Sequence, residues 1–141
     1  MTSLTDGDIE SIAHGVMERT LPKAAWTHEA HFAAAIWMIA RHGDEAFAMM
    51  PCLIRAYNEA TGTPNTDTSG YHETITQASL RAARFMLAAN PDRALSDVLA
   101  ALMARAFGQS AWLLAYWRKE TLFSVAARHA WVEPDLQALP F

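Results

Sequence analysis

Two short polar clusters break into apolar sequence: Trp26-Thr27-His28-Glu29-Ala30-His31 and Gly70-Tyr71-His72-Glu73-Thr74-Ile75-Thr76. Each reads as the opening turn of a helix, and each brings imidazole to a face that otherwise carries core-type residues. His28 and His31 are three apart, so on a helix they project to one side. That side also carries Phe32, Ala35 and Ile39. His72 shares its own face with Ile75, Thr76, Ser79 and Ala83. Packing the two helices together makes three imidazoles converge. Neutral imidazole is the commonest metal ligand, and three of them with an open position describe a catalytic zinc-type site. The spacing therefore predicts His28, His31 and His72 as ligands of a divalent metal, with zinc, nickel and iron all compatible.

Other polar residues can serve the same site. Tyr71 and Glu73 are the candidate catalytic groups, as the proton-transfer side chains nearest to His72. Glu73 lies about 100° round the helix from His72, so it flanks that face without sharing it. Arg55, Asn58, Asn65 and Thr76 are the candidate ligand-binding residues, and an arginine there suits an anionic substrate. Each has a plainer use. His28 and His31 can cap or bond nearby backbone, Glu73 can close a capping box behind Gly70, and Arg55 can be a solvated surface residue. His14 lies off the apolar face of its helix, and His42 reads as ordinary helix C-terminal chemistry. Met49, Met50, Trp37, Trp112 and Trp117 read as packing.

The elements that must position these residues are all helices. Apolar spacing over Ile9, Ile12, Ala13, Val16 and Met17 predicts a first helix over about residues 5–21, stopped by Pro22. A second runs from the cap Thr27 to about residue 41, apolar on every side over 32–40 and so buried on most sides. A third covers about 44–60, kinked or split at Pro51. A turn-forming loop follows over 61–70, longer than most helix connections. It is expected to be ordered over the starts of helices two and four, with Asn65 pointing inward. Further helices are expected over about 71–89, 94–106, from about 110 through Trp117, and 124–131. The fold class is all-α: one domain spanning 1–141, a bundle of five to seven helices around a four-helix core.

Composition bounds the function. The 141 residues are 52% hydrophobic and 18% charged, enough for a sizeable core in one domain. So apolar a small chain favours a homodimer that hides part of its surface. A net charge of −4, with arginines spread along the chain, argues against nucleic-acid binding. Cys52 is the only cysteine, which excludes an internal disulfide and a thiolate cage. The start has neither the basic nor the apolar stretch of a signal peptide, and the run over 32–40 is too short to cross a bilayer. The expected setting is the cytoplasm, with no membrane partner.

The set Trp26-Thr27-His28-x-x-His31, Tyr57-Asn58-x-x-x-Gly62, Asn65-Thr66, Gly70-Tyr71-His72-Glu73-Thr74-Ile75-Thr76 and Pro134-Asp135-Leu136 resembles a family of small uncharacterised bacterial proteins. The resemblance spans about residues 24–140 and implies no catalytic assignment. A looser similarity is to the DinB-like metal-binding four-helix bundles, which also use three histidines. There the pair comes late in the chain and the single histidine early, the reverse of the order here. Three functional readings follow. The first is a metal-binding protein or small metal-dependent enzyme built on His28, His31 and His72. The second is a metal-free helical module that binds a small molecule. The third is a structural or partner-binding helical protein.

Overall fold

A computed structural model describes residues 3–141, which are helical with no strand among them. The α-helices are α1 (Asp6–Met17), α2 (His28–His42), α3 (Ala46–Ala60), α4 (Glu73–Ala89), α5 (Leu95–Met103), α6 (Lys119–Leu122) and α7 (Val125–His129). The unbroken apolar run decides the architecture. Phe32 to Ile39 are all buried, which requires neighbours on every side of α2. α1, α3, α4 and α5 supply them, so α2 is the central rod of the bundle. Its start is set by Thr27, whose hydroxyl accepts from the Ala30 N–H at 3.1 Å. α1 begins on a full capping box between Thr5 and Asp8.

Two elements differ from the sequence expectation, and at Pro51 one of the two expected alternatives falls, each for a local reason. α1 stops at Met17 because the chain reverses through Arg19 at φ 62° and folds Leu21 back onto Gly15. α3 runs through Pro51 without splitting. A proline there cannot donate to the carbonyl four residues back, and that carbonyl, of Phe47, instead accepts from Gln77 Nε2 at 3.0 Å. A side chain from α4 thus satisfies the group that Pro51 leaves free. The helix expected from Ser110 is not formed. Residues 106–123 make two 3-10 turns, Ala106–Gly108 and Trp112–Ala115, and then the single turn α6.

Gly108 helps set that path, since a Cβ on it would lie 2.0 Å from the Met103 carbonyl oxygen. The turns then send Phe107, Trp112, Leu113, Trp117 and Leu122 into the core. The tail fixes them from outside. Trp117 Nε1 donates to the Val132 carbonyl at 2.9 Å. The Asp135 carboxylate accepts from the Arg118 N–H at 2.8 Å and from the Thr121 hydroxyl at 2.6 Å. Those bonds, from the Thr121 hydroxyl first, hold the Asp135 carboxyl below its usual range. Among the described residues, no helix is long and apolar enough to cross a membrane.

Candidate functional site

His28 and His31 line one concavity, His72 does not, and each of the three is anchored to a backbone carbonyl. His28 Nε2 donates to the Phe107 carbonyl at 2.7 Å. His31 Nδ1 donates to the Thr27 carbonyl at 2.7 Å. His72 Nε2 donates to the Leu122 carbonyl at 2.7 Å. A carbonyl oxygen only accepts, so each of these ring nitrogens carries a proton and the tautomers follow. His72 uses its other nitrogen as well. It is the N-cap of α4, and its Nδ1 accepts the Ile75 N–H at 3.1 Å. The capping role expected of Glu73 behind Gly70 therefore belongs to His72.

His31 is further fixed by stacking on Trp26, with ring centroids 3.7 Å apart and planes at 29°. The side chain is exposed where it lines the concavity, while protein atoms crowd the rest of the ring. Loss of hydration outweighs the Thr27 carbonyl bond and pushes its pKa down to about 4. His72 is buried and is shifted in the same direction, also chiefly by desolvation. The folded protein at neutral pH thus holds His31 and His72 as neutral imidazoles.

The concavity is a cavity of about 510 Å³ between α2, α4 and the 106–123 segment. His28, His31 and Phe32 form one wall, Ile75 and Ser79 the second, and Ser110 to Leu114 with Leu122 and Phe123 the third. His28 and His72 staple that third wall through the Phe107 and Leu122 carbonyls. Thr76 lies with His31 on a separate void of about 40 Å³ toward Met50 and Ile54. Among the described residues, no group of three His, Cys, Asp or Glu side chains is placed to hold a metal ion. His72, expected as the third ligand, has both ring nitrogens engaged and would have to give up at least the bond by which its Nδ1 caps α4.

The remaining expected site residues assemble elsewhere. The Arg55 guanidinium lies 4.5 Å over the Tyr71 ring, and the Tyr71 hydroxyl donates to Glu73 Oε1. Burial first, then the Glu73 carboxylate, drives the Tyr71 pKa upward, so the phenol is a poor proton donor. Asn65 Oδ1 accepts from the Tyr71 N–H at 2.9 Å and from Asn58 Nδ2 at 3.1 Å, while its Nδ2 donates to the Arg55 carbonyl at 3.1 Å. These bonds knit the 61–70 loop between the end of α3 and the start of α4. Asp67 pairs with His129 at 2.7 Å, and Arg128 Nη1 donates to the Gly70 carbonyl at 3.1 Å. Arg55, Asn58, Asn65, Tyr71 and Glu73 do not line the 510 Å³ cavity.

Sequence reasoning set Ser79 on the His72 face without giving it a role, and missed Leu113, Leu122 and Phe123 as wall residues. Ser79 had a readable signal, two helical turns beyond His72 on the same face. The others had none, because a 3-10 turn places Leu113 and the single turn α6 places Leu122 and Phe123. Comparison with protein-family models, with curated proteins and with solved structures found no match.

Proposed function

We propose that this chain is a helical module that binds a small molecule in the cavity between α2, α4 and the 106–123 segment. One observation carries the reading: a largely apolar concavity of about 510 Å³ with two imidazoles of fixed tautomer on one wall. That combination of size, apolar lining and a few oriented polar groups suits a small-molecule site. The test is a nuclear magnetic resonance titration of labelled protein with indole, cyclohexanol and naphthol. Shifts that saturate and cluster on residues 28–35, 75–79 and 110–123 support the reading. Shifts that centre on the Arg55–Tyr71–Glu73 cluster, or that never saturate, overturn it.

A second reading keeps a divalent metal, zinc, nickel or iron, on His28 and His31. It is favoured by one feature: each ring gives one nitrogen to a backbone carbonyl and keeps the other, as ligating histidines do. The third donor would not be His72 as it stands. Metal analysis of untagged protein tests this, and less than half an equivalent after dialysis against zinc rejects it. A homodimer would cover the exposed Leu114, Phe123 and Leu136 side chains. Sedimentation equilibrium decides that point, a monomer mass ruling it out.

A further inference from the structure

The chemistry lining the cavity narrows the ligand, given the small-molecule reading above. Neither Arg nor Lys lines it, and neither Asp nor Glu does. A carboxylate or ammonium entering it would lose hydration with no opposite charge to replace it. The polar side-chain groups on offer are two imidazoles, the Ser79 and Ser110 hydroxyls and the Trp112 indole N–H. Both imidazoles have spent their N–H on a carbonyl: His28 through Nε2 on Phe107 and His31 through Nδ1 on Thr27. What remains on His28 Nδ1 and His31 Nε2 is a lone pair. No buried side-chain nitrogen or oxygen lacks a partner among the described residues, so the unpaired nitrogen of the half-buried His28 is one that a visitor can reach. The cavity therefore offers acceptors at one end and aliphatic or aromatic surface from Ile75, Leu113, Leu122 and Phe123 along the rest.

We infer that the ligand is a neutral apolar molecule carrying a hydroxyl, an alcohol or a phenol, whose O–H donates to His31 Nε2 while its body lies against Ile75, Leu122 and Phe123. An ether of the same shape matches the body but has no proton to give. A carboxylate of the same shape meets no Arg or Lys and repels the imidazole lone pairs.

Three probes of one ring system separate these cases: naphthol, methoxynaphthalene and naphthoate, titrated calorimetrically at pH 7.5 into wild type, His31→Phe and Ser79→Phe. His31→Phe keeps an aromatic ring beside Trp26 and removes the acceptor. Ser79→Phe fills the cavity. The expected order in wild type is naphthol about tenfold tighter than methoxynaphthalene, the scale of one hydrogen bond made or missed, with naphthoate weakest. In His31→Phe the first two should come within about twofold of each other. Equal affinities in wild type, or naphthoate binding tightest, overturn the inference on wild type alone, even if His31→Phe fails to fold. If that binding is also abolished by Ser79→Phe, the cavity reading survives and only the ligand class falls. No saturable binding by any of the three overturns both.

Discussion

His72 does two jobs that its residue type alone does not announce. Its Nδ1 caps α4, and its Nε2–H holds the Leu122 carbonyl fifty positions along the chain. Removing the ring in His72→Ala takes away a cap and strands a carbonyl, at a cost of about 2–3 kcal/mol. His72→Asn restores a capping side chain but cannot span to Leu122, so it should recover about 1 kcal/mol. Urea denaturation of the two variants checks both figures. His31 gives a pH signature. Its folded pKa is lowered from 6.5 to about 4, so between those values the unfolded chain binds more protons than the folded one. Stability present at neutral pH is therefore lost as pH falls from 6.5 toward 4. His72 shifts in the same direction and adds to the loss. Replacing His31 with Gln should flatten the urea midpoint between pH 7 and pH 4.5, and an unchanged slope would mean that the ring is not desolvated. The partners behind these effects are backbone carbonyls of Thr27, Phe107 and Leu122. A carbonyl belongs to every residue and leaves no mark in sequence, which is why the imidazoles could be singled out but their tethers could not.

Helix existence was readable wherever apolar residues repeat at helical spacing. α1, α2, α4 and α5 follow that rule, and the all-apolar stretch of α2 announced its central place. Pro51 left a kink or a split open, and the split could not be dismissed because the compensating group, Gln77, sits on another helix. The region after α5 was misread because its aromatic residues mimic a helical stripe, whereas Gly108 and the Asp135 clamp turn them inward one at a time. The 61–70 loop shows how turn chemistry sets an element. Gly70 has φ 80°, and a Cβ there would lie 2.5 Å from the Pro64 carbonyl and 2.6 Å from Asn65 Oδ1. Gly70→Ala thus meets both a strained conformation and the Asn65 side chain that holds Tyr71. It should cost about 2–3 kcal/mol, read as a fall in urea midpoint with the denaturant slope unchanged. A cost below about 0.5 kcal/mol would show that the loop adapts and does not fix the entry to α4.

At the scale of the molecule, the polar residues divide into two groups. The Arg55–Tyr71–Glu73 cluster and the Asn58–Asn65 pair tie the loop to the bundle. The cavity is built instead by His28, His31, Ser79 and the 106–123 segment, which the tail presses into place. Sequence brought the histidines to one region because both clusters open helices that pack together. It could not separate the structural cluster from the cavity, since that depends on which face of α4 meets α2 and which meets α3. The proposed function requires the cavity to be a binding site. The most direct measurement is the calorimetric stoichiometry of naphthol with wild type and with Ser79→Phe, both first shown to share a urea midpoint. One saturable site per chain in wild type, absent in Ser79→Phe, is the predicted result. Binding of equal strength and stoichiometry in the two proteins, or none in wild type, would contradict it.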